Sequence, residues 1–154
     1  MTPPRAAPIV RICSTQKTLR VPRRKIADLV AFVARREEVR LGEADVAVVG
    51  AEEMARLNAQ WLGRDDVTDV LSFDLSGSDP SGGPLSAQIV VCADLAAAEA
   101  EKRKLPPQRE LLLYVLHGLL HVIGYDDTTP DAAGRMHARE DELLEAFARK
   151  AGSR

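Results

Sequence analysis

Three side chains in the last third of the chain carry the spacing of a metal site. His117 and His121 stand four residues apart in the apolar run from Leu111 to Tyr125, which reads as a buried helix. Residues i and i+4 of a helix share one face, a single turn apart, so both imidazoles can ligate one ion. Gly124 follows, the residue type that closes a helix in a left-handed turn at least cost. The chain then doubles back, and Asp127 can face the two rings. His-x-x-x-His-x-x-Gly-x-x-Asp is the ligand spacing of extended zincin sites, with a carboxylate in third place. Two imidazoles among Leu113, Leu116, Leu120 and Val122 cost free energy to bury unless a partner or a metal satisfies them. The remaining histidine, His137, is a second candidate third ligand if the final helix folds over the site, ranked below Asp127. A zincin peptidase carries a Glu general base directly after its first His. Here that residue is Gly118, so a peptidase mechanism lacks its proton acceptor.

The elements that must hold these residues can be read from periodicity and punctuation. Ile9–Cys13 alternates as a first strand. Pro22 fits the first turn of a helix in which Ile26, Leu29, Val30 and Val33 recur at helical spacing to about Arg36. Asp45–Gly50 is a second strand, Glu52–Gln60 a short helix, Val70–Phe73 a third strand and Ala87–Cys92 a fourth. Ser76–Gly83 reads as a loop, either a hairpin connection or a gate on a cleft, and Gly63–Asp66 as a turn. Asp94 is placed to cap a helix from about Leu95 to Lys104. A long apolar helix spans Gln108 to about Ile123, and Pro130 opens a last amphipathic helix with Met136, Leu143, Leu144 and Phe147 inward. The expectation is one α+β domain over residues 1–154: a small four-stranded sheet packed with about five helices, and a zincin-like metal site after a buried helix.

Composition bounds the function classes. The chain has 154 residues, 45% apolar and 29% charged, which is globular rather than disordered. Two widely spaced cysteines, Cys13 and Cys92, suit a reducing compartment, and the N-terminal residues show no secretory apolar core, so a cytoplasmic protein is expected. The net charge of -2 hides an asymmetry: residues 1–40 hold ten bases against three acids, the remainder eleven against twenty. A basic N-terminal third can meet a phosphate backbone. Aromatics are only 4%, which argues against a broad base-stacking platform.

The run His117-Gly118-Leu119-Leu120-His121-Val122-Ile123-Gly124-Tyr125-Asp126-Asp127 resembles the signature of the YbeY endoribonucleases, HGxLHLxGYDH, at every position but the last. Leu57-Asn58 with Thr68-Asp69-Val70-Leu71-Ser72-Phe73 resembles that family's LN…TDVLSF block, and Met136 with Glu140 its Met-x-x-x-Glu. The resemblance covers roughly residues 45–147. It implies a small mixed sheet, one Zn²⁺ per chain at the signature, and hydrolysis of phosphodiester bonds in single-stranded rRNA during small-subunit maturation and ribosome quality control. Ribosomal-protein or GTPase partners are implied with it. Three positions depart from the pattern: Asp127 for a usual His, Leu62 for a frequent Arg thought to assist catalysis, and Ala87-Gln88 for Gly-Asp.

The mechanism expected is metal-assisted hydrolysis. His117, His121 and Asp127 hold the ion and leave a fourth position for water of lowered pKa. The carboxylate makes that water less acidic than a third imidazole would. Arg20, Arg23, Arg24 and Lys25 are expected to track the RNA backbone, with Arg64 standing in for the missing Arg. Asp126 and Glu140 are candidates to orient ligands. The alternative is a ribosome-assembly factor that binds RNA and protein with a mainly structural metal; a third reading, two ordinary core histidines in an interaction module, predicts no metal at all.

Overall fold

The computed structural model describes residues 6–64, 67–76 and 82–152. Along the chain it builds β1 (Ile9–Ser14), α1 (Arg23–Arg36), β2 (Leu41–Val49), α2 (Ala51–Leu62), β3 (Val70–Asp74), β4 (Leu85–Cys92), α3 (Ala93–Arg103), α4 (Pro107–Ile123) and α5 (Pro130–Gly152). The four strands form one mixed sheet in the order β1-β2-β4-β3. β1, β2 and β4 run parallel and β3 antiparallel to β4, so the sheet is α+β as the sequence pattern implies.

Strand alternation divides the side chains between two layers. Ala44, Val46 and Val48 of β2 and Ala87, Ile89 and Val91 of β4 face a large core closed by α1, α4 and α5. Leu71, Val90 and Cys92 face the other way, into a small core with Met54 of α2. The rest of that second face is wet, with Arg11 paired to Glu43 and Asp45 across β1 and β2. β1 and β3 are the two edges of the sheet.

α4 is the central post of the large core. Pro107 sits in its first turn, where the missing N–H costs nothing, and Leu111, Val115, Leu116, Leu119 and Leu120 are fully buried. Its approach to the sheet is set by Gly118. A Cβ there would lie 3.0 Å from methyls of both Ile89 and Val70 and 3.4 Å from Ser72 Cβ. At the position that a peptidase gives to a general base, even a Cβ would therefore crowd side chains of β3 and β4.

Asp94 does not cap its own helix. It lies in the first turn of α3, which begins at Ala93, and its carboxylate accepts the Ala51 N–H at the start of α2 (2.6 Å) and the Thr18 hydroxyl (2.5 Å). One side chain thus satisfies an orphan donor of a neighbouring helix and ties down the β1–α1 connection. The Thr18 hydrogen bond, then the Ala51 amide, holds the carboxyl below its ordinary range. β2 also begins earlier than Asp45, at Leu41: Leu41 and Glu43 pair with Leu85 and Ser86 of β4, and the register shifts between them at Gly42. Residues 77–81 of the expected Ser76–Gly83 loop, and Asp65 and Asp66 of the expected turn, lie outside the described residues. No helix among the described residues is long and apolar enough to cross a membrane.

Two stability outcomes follow. Asp94→Ala lowers unfolding free energy by about 1 kcal/mol, the usual cost of a lost cap. Because the folded-state pKa is depressed, that deficit is full above the unfolded value near ~3.9 and shrinks as pH falls through the folded value; denaturant titrations at pH 7 and pH 3 measure both. Gly→Ala inside a helix ordinarily stabilises by about 1 kcal/mol. At Gly118 overpacking of about 1–3 kcal/mol reverses the sign, so a rise in denaturation midpoint for Gly118→Ala would contradict the close approach.

Candidate metal centre

The site is assembled at the C-terminal end of α4. His117 and His121 come from one helical face, with ring centroids 4.7 Å apart and their Nε2 atoms 3.1 Å apart. Gly124 closes the helix at φ 129°, a conformation that L side chains rarely adopt. Its N–H and that of Tyr125 both return to the Leu120 carbonyl. This reversal brings Asp127 back over the rings: its Oδ2 lies 3.6 Å from His121 Nε2 and 3.8 Å from His117 Nε2.

A tether fixes the turn. The Tyr125 hydroxyl donates to Glu37 Oε2 (2.8 Å), just past the end of α1, and Arg139 Nε of α5 donates to Glu37 Oε1 (2.6 Å). Burial and the Glu37 bond push the Tyr125 hydroxyl above its ordinary pKa. The segment carrying Asp127 is thereby tied to two helices.

The donor geometry fits one metal ion. Ligands about 2.0–2.1 Å from a tetrahedral ion stand roughly 3.3 Å apart, and the three separations here are 3.1, 3.6 and 3.8 Å. Among the described residues, His117, His121 and Asp127 form a group whose ligand atoms all lie within 4.8 Å.

Glu140 sets the chemistry of the first ligand. It falls in the inward stripe Met136–Glu140–Leu143–Phe147 of α5, and its carboxylate, 5% exposed, lies 2.6 Å from His117 Nδ1. A buried carboxylate next to Nδ1 keeps a proton there and leaves the Nε2 lone pair for the ion, the carboxylate–histidine–metal arrangement. The same bond raises the His117 pKa against the opposing effect of burial. Acidification therefore protonates Nε2 and competes with a metal.

The other expected residues separate clearly. His137 is 70% exposed and approaches only Glu140 Oε2, at 3.6 Å, away from the ligand atoms. Asp126 Oδ1 accepts from the Thr128 N–H and hydroxyl, a local turn whose hydrogen bonds depress its pKa. Arg64 follows the left-handed Gly63 that ends α2, and it lines a cleft of about 500 Å³ with Asn58, Leu62, Ser72, Phe73, His121 and Asp127. That cleft wraps the free edge of β3, so the Thr68–Phe73 motif supplies its floor. Arg20, Arg23, Arg24 and Lys25 instead border a separate hollow beside Gln108, whose side chain donates to the Arg20 carbonyl at 3.4 Å. Gln108 and His121 are thirteen residues apart on α4, so this basic group lies about 20 Å of helix from the metal ligands. Sequence reasoning missed Glu37 and Arg139, which carry no local motif, and the cleft residue Ser72 was noted only as part of a block.

Fold and site together define an α+β protein with zincin-like ligand geometry: two histidines of one helix, a third ligand after a glycine turn, and an adjoining cleft. Comparison with known proteins narrows the class. The sequence model of the family described as Endoribonuclease YbeY matches residues 11–148. An Endoribonuclease YbeY of Anaeromyxobacter sp. is 43% identical over 110 residues, 69% of this chain and 57% of that protein, so this alignment spans less than two thirds of the relative. The Syntrophus aciditrophicus Endoribonuclease YbeY is 33% identical over 139 residues, 88% of this chain and 87% of that one. The solution structure of TM1509 from Thermotoga maritima superposes with a TM-score of 0.64 at 25% identity, covering 94% and 93% of the two chains. The chain belongs to the Endoribonuclease YbeY family.

Elemental analysis of purified variants tests the ligand set. Asp127→Ala and His117→Ala lose bound metal, His137→Ala keeps it, and Glu140→Gln weakens affinity about 10–100-fold. Retention by Asp127→Ala with loss in His137→Ala would move the third ligand to α5.

Proposed function

We propose that the chain is, as one YbeY-like domain, a metal-dependent endoribonuclease that hydrolyses single-stranded rRNA in small-subunit maturation and ribosome quality control in the cytoplasm. The observation that supports this most is a three-ligand centre forming one wall of a cleft. Structural zinc sites are closed by four protein ligands, whereas hydrolytic sites use three and keep a position for water. Among the described residues the grouped ligands are three, and His121 and Asp127 also line the cleft.

Zinc fits the donor set of His117, His121 and Asp127, and when bound it supplies Lewis acidity and an acidified water. The chain's own residues do the rest. Glu140 holds the proton on His117 Nδ1, so the ring presents Nε2 in one fixed orientation. Asp127 adds negative charge at the rim. Arg64 lines the cleft with His121, where a guanidinium can neutralise a phosphodiester oxygen as charge develops on it. Thr68 and Ser72, whose hydroxyls are neutral hydrogen-bond donors, line the same cleft. Arg20, Arg23, Arg24 and Lys25, at the far end of α4, contact backbone well away from the reacting phosphate and contribute salt-dependent affinity without sequence reading.

Cleavage of a labelled single-stranded rRNA fragment, measured with and without a chelator, tests the reading. Wild type cleaves and loses activity on chelation, and folded His117→Ala is at least about 100-fold slower. Arg64→Ala lowers kcat by about 10–1000-fold, the range of a single charge-stabilising group. A folded His117→Ala with wild-type cleavage would overturn the metal-dependent mechanism and leave the RNA-binding, assembly-factor reading in its place.

A further inference from the structure

We propose that Trp61, backed by Phe73, is a stacking platform for one unpaired nucleobase of an RNA strand lying in the cleft; this rests on the endoribonuclease reading above. The inward face of α2 runs through Met54 and Asn58, both buried, and continues at the next helical position to Trp61. There it runs off the small core. Trp61 is 61% exposed, with its ring 5.8 Å from Phe73 and tilted 53° to it. The chain's largest apolar side chain thus stands in solvent at the end of a helix whose other stripe residues are covered.

Its surroundings are not those of a scattered surface apolar residue. Five large apolar side chains are exposed among the described residues, and four of them gather here. Trp61 and Leu62 (51%) end α2, Val67 (38%) adjoins Thr68, and Leu75 (57%) follows Asp74. Leu62 lines the metal-centre cleft, as does Phe73, on which Trp61 packs, and Thr68 and Asp74, the chain neighbours of Val67 and Leu75, line it too, so Trp61 stands at its border. The cleft volume of about 500 Å³ lies within the ~300–1,000 Å³ of small-ligand sites.

Rim and cleft together offer what one nucleotide requires: an aromatic face for the base and the Arg64 guanidinium for the phosphate. A base within a duplex has both faces occupied by its neighbours and cannot stack on an indole. Trp61 therefore selects single-stranded RNA by chemistry separate from the metal centre. The low aromatic content remains incompatible with a broad platform, and a one-base platform needs only this pair.

Trp61 is the only tryptophan in the chain, so intrinsic indole emission reports this side chain alone. Unlabelled oligoadenylate is titrated while emission is followed, and affinity is measured separately with a labelled strand against wild type, Trp61→Ala and Trp61→Phe. An abasic ribose-phosphate oligomer of equal length serves as the backbone control. Oligoadenylate shifts or quenches the emission, Trp61→Ala weakens its binding about 5- to 150-fold, and Trp61→Phe restores most of the loss. The abasic strand binds wild type and Trp61→Ala alike. In cleavage assays Trp61→Ala raises KM on single strands and leaves kcat nearly unchanged. Oligoadenylate that binds wild type and Trp61→Ala equally with unmoved emission overturns the platform, leaves the endoribonuclease reading standing, and points to a protein partner for this rim. A wild type that binds no RNA overturns both.

Discussion

A helix lies against a sheet at backbone distance only where it offers no side chain, and Gly118 is where α4 does so. With Ile89 and Val70 methyls 3.0 Å from where a Cβ would stand, the helix axis is drawn onto β3 and β4. His117, on one side of the glycine, is turned toward Glu140 of α5. His121, one turn on, reaches the cleft at the β3 edge. A larger residue at 118 would lift both imidazoles away from the sheet edge that carries the rest of the site. The same glycine removes the peptidase base. One packing constraint therefore both positions the two histidines and keeps a peptidase base from the residue between them.

The second support is electrostatic. A carboxylate buried as deeply as Glu140 is costly unless a donor meets it, and the His117 N–H at 2.6 Å does so. The arrangement gives the ligand ring one tautomer and one orientation. On the opposite side, the Tyr125–Glu37–Arg139 set holds the turn after Gly124, so Asp127 approaches from a segment tied to α1 and α5. As a third ligand, the Asp127 carboxylate would reduce the net positive charge of a bound ion relative to a third imidazole.

Much of this was legible in the residues. α4 announced itself by a long apolar run between Pro107 and Gly124, and the histidine spacing with Gly124 picked out three side chains that the fold brings together. Glu140 was visible through its motif and its place in the stripe of α5. What failed to show was long-range. Asp94 looks like a cap for the helix it opens, and only the tertiary fold carries its carboxylate to Ala51. Glu37 finds partners 88 and 102 positions away. The basic residues at 20–25 suggested contact with an RNA backbone, and their spacing says nothing of the length of α4 that separates them from His121. Exposure of Trp61 was invisible too, because helical periodicity marks it as a core residue and says nothing of where the core ends.

X-ray absorption at the metal edge tests the central claim most directly, since it counts ligand types around the ion. The account predicts a first shell of two imidazole nitrogens with oxygen ligands from Asp127 and solvent, at about 2.0–2.1 Å. A shell with three imidazoles, or one containing thiolate sulfur, would contradict it.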